Sequence, residues 1–203
     1  MMSEIIQIEV SDMQNFCYMI KKGSDFIVID PSYGYKKIKE IVGNGKILAV
    51  LLTHGHFDHV NDVPLIVKDF KTDVYIHRDD IRYLPFSVET KDIKDGDIID
   101  FGFNIKVMHT PGHTPGSVCY IFEKNIFSGD TLFAGYCGRV DLPGSDALKM
   151  RESLIRISKL NDDMVIFPGH NYNLSKTTIG YEKKNNPFLK SAQNKDEFLS
   201  IVL

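Results

Sequence analysis

Residues 53–59 read THGHFDH: three histidines and an aspartate in seven positions, directly after the aliphatic run KILAVLLT (46–53). The whole chain has seven histidines in 203 residues. Shuffling that composition would give a His-x-His-x-Asp-His pattern on the order of once in a thousand sequences, so the crowding asks for a chemical reason. A nearly continuous apolar run predicts a strand buried on both faces. The loop beyond the carboxyl end of such a strand is where open α/β sheets bind ligands.

Working outward, EIIQIEV, FCYMIKK and DFIVID predict strands, with Gly23-Ser24 as a hairpin turn between the second and third. A short helix is expected over Tyr35–Val42. A second should carry Val63, Ile66, Val67 and Phe70 at i, i+3, i+4, i+7, with Asp62 as its N-cap and Pro64 in its first turn. Further strands are expected at DVYIH, around DIID, and at FNIKVMH, SVCYIFE, NIFSG and MVIF (164–167), with a helix over Asp146–Leu160. DIKDGDIID reads as a solvated turn with Asp95-Gly96 at its tip. KTTIGYEKKNNPFL reads as a helix plus a docked tail. Mixed strands with interspersed helices predict an α/β (α+β) protein: two mixed β-sheets packed together with helices outside, in one domain over 1–203.

Four of these strands end in metal-ligand residue types. His54, His56, Asp58 and His59 follow strand 46–53, and His113 lies in HTPGHTPGS after strand 103–109. Asp130 lies in FSGDTLF and His170 in FPGH. Glycine one or two positions away lets three of these loops turn tightly. A catalytic zinc takes about three protein ligands and keeps a position for water. Five histidines and two carboxylates therefore divide into two sites sharing one carboxylate. Two cations roughly 3.5–4 Å apart would hold a bridging hydroxide and polarise a carbonyl. Imidazole and carboxylate without thiolate suit zinc first, and also iron or manganese.

THGHFDH, HTPGHTPGS, FSGDTLF, CGR and PGHNY, in that order and at that spacing, resemble the metallo-β-lactamase-fold hydrolases over essentially the whole chain, and among them the hydroxyacylglutathione hydrolases (type II glyoxalases). The resemblance implies a four-layer αβ–βα sandwich. It implies His54, His56 and His113 on one ion, Asp58, His59 and His170 on the other, and Asp130 bridging, so that Asp58 and Asp130 hold the metal-bound hydroxide. It makes Arg139 and Tyr172 substrate-binding residues, and the substrate a small acyl-thioester of the S-lactoylglutathione type. Three departures stand out. Only 33 residues follow His170, where full-length members of the family have a helical domain. Asp141 stands in place of a substrate-contacting tyrosine, and Asn171 in place of a common glutamate.

Other functions on the same fold remain open at this point. An iron-dependent persulfide dioxygenase would use His54, His113 and Asp130, and a lactone or other ester hydrolase would use the whole set. A net charge of −3 gives no basic face for nucleic acid. No signal peptide and no membrane span are expected. Cys17, Cys119 and Cys137, an odd number without Cys-x-x-Cys, fit a reducing cytoplasm better than a disulfide framework. All three read as packing residues. His109 reads as packing, or as orienting a ligand, and His77 as a strand-end surface or capping residue. A monomer or small homo-oligomer is expected.

Overall fold

Gly23 takes φ of 64°, a conformation glycine adopts without Cβ strain, and it turns the chain between two antiparallel strands. In a computed structural model, which describes residues 3–203, these are β2 (Asn15–Lys22) and β3 (Asp25–Ile29), with Lys22 opposite Asp25. The described chain falls into two compact units, the first running to Ile93 and the second Lys94–Leu203.

The first unit holds a six-stranded mixed sheet in chain order: β1 (Glu4–Val10), β2, β3, β4 (Lys46–Leu51), β5 (Asp73–His77) and β6 (Thr90–Ile93). β1, β2 and β3 are antiparallel neighbours, while β3, β4, β5 and β6 pair in parallel. Crossovers between parallel strands carry α1 (Tyr35–Val42), α2 (Phe57–Val60) and α3 (Val63–Phe70), and a 3₁₀ turn covers Arg78–Tyr83. The run that opened the sequence reading is β4. It lies between β3 and β5, and Ala49, Val50, Leu51 and Leu52 are fully buried. Each of the larger three contributes about 1.5–3 kcal/mol of hydrophobic stabilisation.

The second unit holds another six-stranded mixed sheet. Its strands are β7 (Ile98–Asp100), β8 (Asn104–His109), β9 (Val118–Phe122), β10 (Asn125–Gly129), β13 (Val165–Pro168) and β14 (Thr177–Thr178), in the order β14-β13-β10-β9-β8-β7. A two-residue hairpin, β11 (Leu132–Phe133) and β12 (Tyr136–Cys137), stands apart from it. The helices are α4 (Ala147–Ser158), α5 (Ile179–Asn185), α6 (Pro187–Ser191) and α7 (Lys195–Val202). Helix α4 buries Met150, Leu154 and Ile157, and Asp146 caps it by accepting the N–H groups of Leu148 and Lys149. Among the described residues no helix is long and apolar enough to cross a membrane.

One local expectation needs correction, and two gain detail. Asp62 precedes α3, but its backbone is already helical (φ −92°, ψ 0°) and its side chain makes no cap there. A capping side chain needs an extended backbone to reach the N2 and N3 amides. The Asp62 carboxylate instead accepts the N–H of Tyr35, the first residue of α1, at 2.8 Å. The Asp95-Gly96 turn is exposed, as expected. It joins strands of different sheets, and Asp95 accepts the His109 N–H at 2.9 Å and the Arg156 guanidinium. His77 ends β5 and takes the capping role of the two expected for it: its buried Nδ1 accepts the Asp79 N–H at the start of the 3₁₀ turn.

Gly112 ties the second unit's helix to its loop. It has φ of 147°, and a Cβ there would stand 2.4 Å from Cα of Met150 on α4. Its carbonyl accepts the Asp146 N–H at 2.8 Å. Because the obstacle is helix backbone, Gly112→Ala must push α4 away. The expected loss, read from the urea midpoint, is about 1–3 kcal/mol.

Candidate metal centre

In the first unit the predicted ligands gather beyond the carboxyl ends of β3 and β4. His54 and His59 are buried with ring centroids 4.2 Å apart, and half-buried His56 meets His54 edge-on at 4.8 Å. One buried carboxylate, Asp30, organises them. Its Oδ1 accepts the Thr53 N–H at 2.7 Å, and its Oδ2 accepts the Thr53 hydroxyl at 2.6 Å and faces His59 Nδ1 at 3.0 Å. An ionised carboxylate only accepts, so His59 carries its hydrogen on Nδ1 and presents a lone pair at Nε2. Thr53 has given its hydroxyl hydrogen to Asp30, so its Oγ1 accepts from His54 Nδ1 at 3.0 Å. That leaves the Nε2 lone pair of His54 available to a cation. Asp58 Oδ2 lies 3.7 Å from His59 Nε2 and is steadied by Asn15 Nδ2 at 2.9 Å.

The His54–His56 loop is also clamped from the side. Asp80, fully buried, accepts the Gly55 N–H at 2.9 Å. A Cβ at Gly55 would stand 2.6 Å from the Asp80 carbonyl oxygen and 2.9 Å from Cβ of Tyr83. Only glycine permits this approach.

In the second unit His113, Asp130 and His170 come together from the ends of β8, β10 and β13. His113 Nδ1 is 3.0 Å from the Arg139 carbonyl oxygen, an acceptor only, so the hydrogen is on Nδ1. Its Nε2 lone pair then faces Asp130 Oδ2 at 3.5 Å, and His170 Nε2 lies 3.3 Å from the same oxygen. Gly138 is packed so closely that a Cβ would overlap the Asp130 carbonyl oxygen at 1.8 Å.

These donors fit a metal ion. With neutral rings, a lone pair facing a carboxylate oxygen is two acceptors turned on each other, an arrangement that a cation between them would satisfy. Two donors bound tetrahedrally at 2.0–2.1 Å are about 3.4 Å apart, the spacing found here. The hydrogen bond made by each ligand's other ring nitrogen is the outer support that metal-binding imidazoles need.

Among the predicted substrate residues, Arg139 is exposed and engaged bidentately by Asp141, at 2.9 and 2.8 Å. Tyr172, half exposed, stacks on His170 with centroids 4.7 Å apart and planes 8° apart. Burial pushes the Cys137 thiol up to about 12, which leaves it no thiolate for nucleophilic work. Cys17 and Cys119 are buried. His109 Nε2 faces the Pro115 carbonyl at 2.9 Å and so braces the loop that carries His113. Sequence reasoning missed Asp30, Asn15 and Asp80. Asp30 had a usable signal, since it too directly follows an apolar strand. Asn15 and Asp80 had none. Also missed was Glu182, fully buried, which accepts from Gly135 N–H, Asn186 Nδ2 and Thr177 Oγ1 and anchors the β11–β12 hairpin.

The family profile described as "Metallo-beta-lactamase superfamily" matches residues 10–170. The chain belongs to that superfamily and is a metal-dependent hydrolase of its fold. It is 36% identical to the "Probable polyketide biosynthesis zinc-dependent hydrolase PksB" of Bacillus subtilis, over 79% of this chain and 75% of that one. It is 34% identical to "Hydroxyacylglutathione hydrolase GloC" of Haemophilus influenzae, over 91% of this chain and 97% of that one. The crystal structure of ETHE1 from Myxococcus xanthus superposes with a TM-score of 0.88 at 26% identity, covering 100% of this chain and 90% of that one.

Asp30→Asn exchanges an obligate acceptor for an amide that no longer fixes the His59 tautomer. Metal affinity, measured by competition with a chromogenic chelator, is expected to fall about 10–100-fold, with the far-UV circular dichroism unchanged.

Proposed function

We propose that the ligand sets of the two units act together as one domain over 1–203, holding two divalent ions, zinc first, to hydrolyse small acyl-thioesters. His54, His56 and His113 would hold one ion, and Asp58, His59 and His170 the other, with Asp130 shared. The observation that carries this reading is the single Asp130 oxygen facing two imidazole nitrogens at 3.3 and 3.5 Å, as a bridging carboxylate must. The family match across both units supports it.

Ions so held supply an acidified water and polarise a carbonyl. The chain's own residues do the positioning. Asp30 and the Arg139 carbonyl hold a hydrogen on Nδ1 of His59 and His113 and so turn each Nε2 toward the ion, and Asn15 steadies the Asp58 carboxylate that would orient the attacking water. Hydrolysis joins water's oxygen to the acyl carbon and breaks the C–S bond, and the sulfur leaves as thiolate. A thiolate leaves readily without protonation, which suits a donor set with no buried lysine or further acid in it. Similarity to GloC over nearly its whole length favours thioesters over other esters. Three free cysteines fit a reducing, cytoplasmic setting.

Elemental analysis of the purified full chain should give two metal ions per chain, and acyl-thioesters should be hydrolysed. Asp130→Asn should lower kcat/KM at least about a hundredfold and take the metal content below two. One iron per chain with oxygen uptake on a persulfide would replace this reading by a dioxygenase on His54, His113 and Asp130.

A further inference from the structure

Two arginines have been brought near predicted ligands, and they differ in charge state toward a substrate. Arg139 is neutralised by Asp141. Arg82 is not paired with any carboxylate among the described residues. Its guanidinium lies 5.0 Å from the ring centroid of Tyr83 and donates to the Tyr83 hydroxyl at 3.1 Å. The same Tyr83 ring meets the His56 ring edge-on, centroids 6.1 Å apart. The nearby acid, Asp80, is turned inward onto Gly55, and Arg78 is held by Asp92 at 2.7 Å. The turn's other acid, Asp79, faces His77 Nδ1 at 3.8 Å, so the Arg82 guanidinium is left with no carboxylate within ion-pair distance among the described residues. The turn is packed against Gly55, between His54 and His56, so the position of Arg82 is tied to the loop of ligands.

We propose that Arg82, set on the Tyr83 ring beside His56, is the specificity-determining residue that receives a carboxylate group of the substrate. A guanidinium fork matches a carboxylate bidentately, and the cation–π contact holds it in place before binding. One guanidinium without an ion-pair partner suits a monoanion rather than a phosphate dianion. The inference rests on the thioester reading for the rest of the substrate, and it moves anion recognition from Arg139 to Arg82.

The test uses thioethers, which cannot be hydrolysed. S-hexyl-3-mercaptopropionate, its primary amide, and the S-hexyl thioether of 2-mercaptoethyl phosphate are titrated calorimetrically into the purified full chain with its metal, and into Arg82→Gln and Arg139→Gln. The native chain should bind the carboxylate about tenfold more tightly than the amide. Arg82→Gln should abolish that preference, Arg139→Gln should keep it, and the phosphate should bind no better than the carboxylate. No preference in the native chain, or one that survives Arg82→Gln, overturns the assignment to Arg82, and tighter phosphate binding overturns the choice of carboxylate. Hydrolysis of the matching S-acyl-3-mercaptopropionate is assayed in parallel. Discrimination among the thioethers without any hydrolysis would keep Arg82 and remove the thioester reading.

Discussion

An imidazole has two nitrogens and, when neutral, one hydrogen, and a buried ligand works only if that hydrogen is on the far side. Both units meet this constraint with an atom that can only accept: the Asp30 carboxylate behind His59 and the Arg139 carbonyl behind His113. The lone pairs that result point toward carboxylate oxygens, an arrangement that costs energy until a cation is supplied. The donor set is built for a charge that the protein does not itself carry.

The sheets explain why these groups are available. Parallel strands end together, so residues that follow them lie along one edge of the sheet. Asp30 and His54 follow parallel neighbours in the first unit, and Asp130 and His170 follow parallel neighbours in the second. The backbone pays for this with strain in one place, since Asp30 itself has φ of 50°. Aspartate tolerates that conformation better than most residues, and here it turns both carboxylate oxygens onto Thr53 and His59.

Much of the fold was legible because the signals were local. Strand β4, the Gly23 hairpin, helix α1 and helix α4 each announce themselves through periodicity, a turn residue or a cap, and the observed bounds lie within a residue or two of those expected. Elements of two residues such as β11 and β12 lack the length to carry a periodic signal. Asp62 misled because the pattern of a capping residue was present while the backbone torsion it requires was not.

The sequence by itself determined which residue types end the strands, and hence that imidazole and carboxylate would meet at a sheet edge. What hydrogen-bonds to what was decided only by tertiary structure. Asp30 reaches His59 across 29 positions, Arg139 serves through its main chain rather than its charge, and Asp80 clamps a loop 25 positions before it. The physical reason is that a hydrogen bond depends on the position of an atom to a fraction of an ångström. Hydrophobic pattern selects a strand or a helix, but that position follows from how the finished elements pack.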